Sequence, residues 1–191
     1  MTFTTPGFDL SYDQQTIKGF EAGIKANLLD RALRVDLALY KYDVANLQVS
    51  NVINSTNTID NAGAVKVKGA EFDFNYRTPL EGLSIHGAAA HNKAKYSSYP
   101  EAPCYGGQTA ATGCVGGSQN LSGTELIRAP KWNLSGGFNF DTPISDTMKF
   151  GISGDVTHSS SYLTDSSSAP NGRQPSYTLL NASARIGEVS D

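Results

Sequence analysis

The chain has no apolar run of the roughly 18 residues that a membrane-spanning helix needs, so that class is excluded. A basic excess is also missing. The formal net charge is −3, and nucleic-acid binders normally carry a basic face. The opening Met1-Thr2-Phe3-Thr4-Thr5-Pro6 has no positive region followed by an apolar core, so it is not a signal peptide, and any export signal is expected upstream. Cysteine is scarce, with only Cys104 and Cys114 in a Gly- and Pro-rich stretch. Two cysteines closing a short loop suit a disulfide in an exported protein, worth about 2.5–3 kcal/mol by loop entropy. Two free thiols in a cytosolic loop remain the alternative. His86, His91 and His158 have no ligand spacing with the cysteines, so no metal site is expected.

What is present is alternation. From Lys18 to Leu28, Phe20, Ala22, Ile24, Ala26 and Leu28 share one face, and Gly19, Glu21, Gly23, Lys25 and Asn27 share the other. This is a half-buried strand of about the 9–11 residues that cross an outer membrane. After a turn at 29–32, Leu33, Val35, Leu37 and Leu39 repeat the pattern, and Tyr40 and Tyr42 follow where the strand is expected to leave the apolar layer. A polar stretch covers 46–61, where Leu47, Val49, Val52 and Ile53 are able to continue the ladder. A third strand spans about 65–77, and Thr78-Pro79-Leu80-Glu81-Gly82 is a turn. A fourth runs from Leu83 to about Tyr96, with a thin stripe of Leu83, Ile85, Gly87 and Ala89. Three more are expected over 131–141, 148–157 and 178–186, and no helix is required.

Connection length decides between architectures. The links at 29–32, 78–82 and 141–147 are short, and those near 43–62, 97–127 and 159–176 are long. Outer-membrane barrels segregate their loops in this way. A soluble β-sandwich alternates too, but has no reason to sort loops by end. A mean hydropathy of −0.31 fits a barrel wall, since apolar and polar faces average out. Aromatics near the span ends (Tyr40, Tyr42, Tyr76, Trp132, Phe140, Tyr162, Tyr177) suit interfacial girdles. The expected fold is all-β: an antiparallel up-and-down transmembrane barrel segment of about seven strands. Seven is odd and leaves two open edges that hydrocarbon cannot satisfy, so the barrel is expected to be incomplete.

With the strands placed, five stretches resemble the downstream barrel of TonB-dependent receptors. They are Ser11-Tyr-Asp-Gln-Gln-Thr-Ile-Lys-Gly-Phe-Glu-Ala-Gly-Ile-Lys-Ala and Leu33-Arg-Val-Asp-Leu-Ala-Leu-Tyr-Lys-Tyr-Asp-Val-Ala-Asn-Leu-Gln-Val. Then come Asn61-Ala-Gly-Ala-Val-Lys-Val-Lys-Gly-Ala-Glu-Phe-Asp-Phe, and the landmarks Arg128-Ala-Pro-Lys-Trp-Asn-Leu and Tyr177-Thr-Leu-Leu-Asn-Ala. The usual Pro-Glu before the first strand stands here as Asp13-Gln14. The resemblance implies one partial barrel domain over residues 1–191, with the plug domain and closing strands outside it. It also implies a Gram-negative outer-membrane location. The implied function is energy-coupled uptake of a scarce solute such as a siderophore–iron complex, driven by the inner-membrane TonB complex acting on the plug. A passive porin, an adhesin-type barrel and a soluble β-sandwich binding module are the alternatives.

No enzyme signature emerges. Glu71 and Asp73 lie side by side on one strand face, as expected of a lumen surface, which Glu21, Lys25 and Arg77 share. The Ser-rich 159–168 lacks a Gly-x-Ser-x-Gly elbow, and the Gly-rich 106–117 lacks a P-loop Lys-Ser/Thr. No catalytic residue and no cofactor are expected. The expected partners are outer-membrane lipid, the plug, TonB and a small-molecule or metal-chelate ligand. External loops on a rigid scaffold carry recognition. Tyr96, Tyr99, Tyr105 and Arg128, in and beside the 97–127 loop, are therefore the candidate contacts for an aromatic or anionic ligand.

Overall fold

The structure is a computed structural model and describes residues 12–53, 56–61 and 63–188. The opening Met1–Pro6, Ser11, Ala62 and the final 189–191, all used in the sequence reading, lie outside the described residues. The strands are, in chain order, β1 (Thr16–Leu28), β2 (Leu33–Ala45), β3 (Gln48–Ile53), β4 (Thr56–Asn61), β5 (Ala64–Arg77), β6 (Leu83–Ser98) and β7 (Ala102–Pro103). They continue with β8 (Ser118–Gln119), β9 (Trp132–Pro143), β10 (Met148–Ser159), β11 (Tyr162–Leu163), β12 (Arg173–Gln174) and β13 (Tyr177–Glu188). Among the described residues the only helical piece is a 3₁₀ turn at Ala110–Thr112.

The seven long strands form one sheet in the order β1-β2-β5-β6-β9-β10-β13, each antiparallel to its neighbours. It is an up-and-down sheet that does not close, since β1 and β13 are its two edges. Each strand begins within two residues of its expected start, and several run further, so that β2 reaches Ala45 and β6 reaches Ser98. The extra length lies at the end of the long loops. There the polar stretch after β2 does not extend the main ladder but folds into a separate hairpin, β3–β4.

Each short link has its own geometry. Leu29, Asp30 and Arg31 all take left-handed backbone, with φ of 52°, 53° and 69°. Arg77 closes over this turn, its amide donating to Ala32 O at 2.8 Å and its guanidinium to Arg31 O at 3.1 Å.

Register sorts the side chains into two faces. On one face the rows read Ala26–Val35–Phe74–Gly87–Gly136–Val156–Leu180 and Ile24–Leu37–Phe72–Ala89–Leu134–His158–Thr178. This apolar face is open, with Ile24 67% and Leu180 78% exposed. An apolar surface of this size left unburied marks a lipid or partner interface. The thin stripe of β6 is filled from next door: Phe74 of β5 lies over Gly87, and Phe138 of β9 covers Gly154 of β10 in the same way. Aromatic side chains laid over glycines supply the surface that the glycines lack.

The girdle expectation needs correction. Tyr76, Trp132 and Phe140 stand on the apolar face, but Tyr40, Tyr42 and Tyr177 have the opposite parity and project from the polar face. Tyr162 lies outside the main sheet, in the short strand β11.

Candidate functional site

The polar face carries charge in matched rows. Lys25, Asp36 and Asp73 are direct cross-strand neighbours, and the two facing carboxylates would repel unless compensated. Compensation comes from Arg34, 2.9 Å from Asp36, and from Lys25 at 3.7 Å. Glu21 accepts from the Tyr42 hydroxyl at 2.9 Å. Glu71 lies one row from Asp73, opposite Ala38, and Arg77 lies opposite Ser84. All five lumen candidates thus share one side of the sheet.

Two side-chain contacts on this face reach past a whole strand. His86 on β6 lies 3.1 Å from Asp155 on β10, with Gly137 of β9 between them in register. Arg185 on β13 meets both oxygens of Asp141 on β9 at 2.7 Å, with Gly151 of β10 between them. A Cβ on Gly137 would come 2.5 Å from the Asp155 oxygen and 2.8 Å from His86 Nε2. The glycines are the gaps through which these side chains pass.

At the long-loop end the same side of the sheet carries Val44, Val65 and Tyr96. These pack with Val49, Tyr99, Ala102 and Leu121 into a small buried core. Loops 97–127 and 159–176 are stitched together above it. Gln119 donates to Pro103 O at 2.8 Å and to Ser167 O at 2.7 Å, and Arg173 pairs with Glu125 at 2.9 Å. Cys104 and Cys114 are joined by a disulfide, with Cα atoms 5.8 Å apart.

Two open clefts flank Arg128. One, about 470 Å³, is lined by Leu47, Tyr96, Leu126, Arg128 and Asp165 among others. The other, about 490 Å³, is lined by Arg128, Asn133, Tyr162, Thr164 and Tyr177 among others. Arg128 is exposed and takes left-handed backbone (φ 53°), and its amide is anchored on Leu163 O at 2.8 Å. Among the described residues its guanidinium has no ion pair, unlike that of Arg173.

The four loop candidates therefore separate. Tyr96 and Arg128 line a common cleft, but Tyr96 is only 1% exposed. Tyr99 packs against it at a tilt, with ring centroids 5.1 Å apart, and is itself buried. Tyr105 is half-buried in the disulfide loop, its amide bonded to Gln108 Oε1 at 3.0 Å, and lines neither cleft. Sequence reasoning missed Tyr162 and Tyr177 as cleft residues. For Tyr177 the signal was available, because its parity is that of Asn181, Ser183 and Arg185.

An unclosed antiparallel wall with one greasy face, one charged face and all long loops at one end agrees with what the sequence matches. Residues 2–188 match the family described as TonB dependent receptor-like, beta-barrel. The chain belongs to this family. TonB-dependent receptors are transporters rather than enzymes, and their barrels lie in the outer membrane of Gram-negative bacteria.

Two solved receptors share the fold. The ferric yersiniabactin uptake receptor FyuA from Yersinia pestis superposes over 95% of this chain and 24% of its own, with a TM-score of 0.69 and 15% identity. The ferric-catecholate import receptor Fiu from E. coli K12 superposes over 95% of this chain and 23% of its own, with a TM-score of 0.58 and 17% identity. The chain spans about a quarter of the length of either receptor.

Proposed function

We propose that the chain forms barrel wall and external loops of a receptor for energy-coupled uptake of a scarce solute, a siderophore–iron complex being the favoured class. A plug domain and closing strands belong to the rest of such a receptor, beyond residues 1–191. Coupling runs through the plug to the inner-membrane TonB complex.

The observation that carries this reading is Arg128, a cation with no ion pair among the described residues, which lies between two clefts on the long-loop side and lines one of them together with Tyr162 and Tyr177. A guanidinium flanked by phenols suits an anionic, aromatic metal chelate, through charge-assisted hydrogen bonds and ring contacts. Tyr96 and Tyr99 serve this site by holding the loops, and Tyr105 belongs to the rim of the disulfide loop. The polar face with Glu21, Lys25, Glu71, Asp73 and Arg77 is the surface that meets the plug.

The test is binding and uptake of ferric phenolate and catecholate siderophores by cells carrying the complete receptor, with and without TonB. Arg128→Asn tolerates the left-handed backbone. It is expected to weaken binding roughly 10- to 100-fold, the worth of one hydrogen bond to a charged group. Uptake that is independent of TonB would favour a passive pore, and unchanged affinity in Arg128→Asn would remove the residue from the site.

A further inference from the structure

Arginine gathers at the short-turn end of the polar face. Arg31 in the first turn, Arg34 on β2 and Arg77 at the end of β5 line one open pocket, together with Asn75, His86 and Asn139 among others. These are three of the six arginines in the chain. No Asp or Glu is among the lining residues. The pocket holds about 360 Å³, within the roughly 300–1,000 Å³ of small-molecule sites.

Register and one turn build the cluster. Arg34, Asn75 and His86 stand in a single row across β2, β5 and β6. Arg77 has the same parity as Asn75, and its guanidinium donates to Arg31 O at 3.1 Å. That bond occupies one of its five N–H donors. Arg34 is shared with Asp36 at 2.9 Å, and His86 with Asp155 at 3.1 Å. Among the described residues neither Arg31 nor Arg77 forms an ion pair.

The turn does not explain Arg31. Its carbonyl receives Arg77, and any residue supplies a carbonyl. Its backbone is left-handed (φ 69°), where Gly or Asn costs less. A surface arranged for stability alone intersperses the two signs. Here guanidiniums meet with no carboxylate in the lining, and their planar forks stay open to an outside oxyanion.

We infer that this pocket is a second anion subsite, on the exit side of the barrel wall. It takes the carboxylate or phosphate groups of a small polyanionic solute after that solute has left the loops. The inference rests on the uptake reading above. In such barrels the short turns are periplasmic, so the pocket lies at the opposite end of the strands from Arg128. It stands at the short-turn edge of the face that meets the plug. A site along a path must hold its solute weakly enough to release it. Asp36 and Asp155 temper Arg34 and His86 in that sense.

The test titrates citrate and inorganic pyrophosphate into the complete receptor in detergent, by calorimetry. An Arg128→Asn background takes the loop cation out of the measurement. At least one anion is expected to bind, and the tighter one names the group recognised. Adding Arg31→Asn, which tolerates the left-handed backbone, is expected to weaken that binding roughly 10- to 100-fold. Arg77→Lys keeps a cation within reach of Arg31 O but loses the fork, and is expected to cost about 10-fold. In cells carrying Arg128, Arg31→Asn is expected to lower TonB-dependent uptake of a ferric carboxylate siderophore more than its surface binding. Absence of binding by either anion, binding indifferent to both variants, or uptake that falls only in step with surface binding overturns the proposal. If neither anion binds and Arg31→Asn lowers the urea midpoint of the receptor, the arginines belong to a plug carboxylate instead. The loop site is judged separately, by siderophore binding in Arg128→Asn alone, so the two readings fail independently.

Discussion

His86 Nε2 and Asp155 Oδ1 meet at hydrogen-bond distance, 3.1 Å, although a complete strand runs between theirs. The contact exists because the residue in register between them is Gly137, and Gly151 opens the same path for Arg185 and Asp141. Ladder hydrogen bonds join adjacent strands only. These two side-chain bridges tie β6 to β10 and β9 to β13, each across one intervening strand.

The first prediction follows from that gap. Both side chains are partly exposed (36% and 46%), so a double-mutant cycle on His86→Ala and Asp155→Ala is expected to give only about 0.2–1 kcal/mol of coupling. In a Gly137→Ala background the coupling should vanish, since the added Cβ occupies the space where the two groups meet. Urea midpoints of the four cycle members in each background check this. Coupling that survives in Gly137→Ala contradicts it.

A second prediction separates the two faces. Leu37 lies mid-span on the apolar face, and Ala38 beside it faces the charged side opposite Glu71. Leu37→Arg is expected to destabilise the barrel by about 2–4 kcal/mol, the cost of a cation in the hydrocarbon midplane. Ala38→Arg should stay within about 0.5 kcal/mol of the wild type. Folding into lipid vesicles against urea reads both, and equal effects would mean that the apolar face does not meet lipid.

The third prediction concerns the loop core, above the membrane layer. Burial, and then neighbouring Tyr99, push the Tyr96 phenol up to about 12, and its hydroxyl is buried without a hydrogen-bond partner among the described residues. The folded-state value is raised above the unfolded value of about 10, so the neutral phenol is the form that the core favours. Its contribution is fully present below about pH 10 and is lost as pH rises through about 12. Tyr96→Phe is expected to remove this alkaline loss. At neutral pH it should gain about 1 kcal/mol, because an unpaired buried hydroxyl is eliminated. Loop proteolysis rates at about pH 7 and about pH 11 are the readout, and a wild-type-like alkaline transition in the variant would refute it.

Much of the architecture was legible residue by residue. Parity along Phe20–Leu28, Leu33–Leu39 and Met148–Val156 located strands and faces, because side-chain direction alternates locally and needs no knowledge of neighbours. Loop length told one sheet end from the other. The site was less legible. Tyr96 and Tyr99, candidate ligand contacts by sequence position, lie buried in the packed floor of the loops, and Tyr40, Tyr42 and Tyr177 have the polar-face parity of their strands rather than that of a girdle. Loop burial depends on segments that meet only after folding, as Gln119 meets Ser167 across 48 residues.

The sequence by itself determined that the chain is a run of antiparallel membrane strands with one apolar side, since strand period and turn chemistry are properties of a few consecutive residues. Only the tertiary structure decided which side chains stand opposite one another. The clearing of Gly137 between His86 and Asp155 and that of Gly151 between Asp141 and Arg185 depend on register, whereas the place of Arg128 between two clefts depends on loops that meet only after folding. Register is set by the pairing of distant strands, and a shift of one residue would send each of these strand residues to the other face.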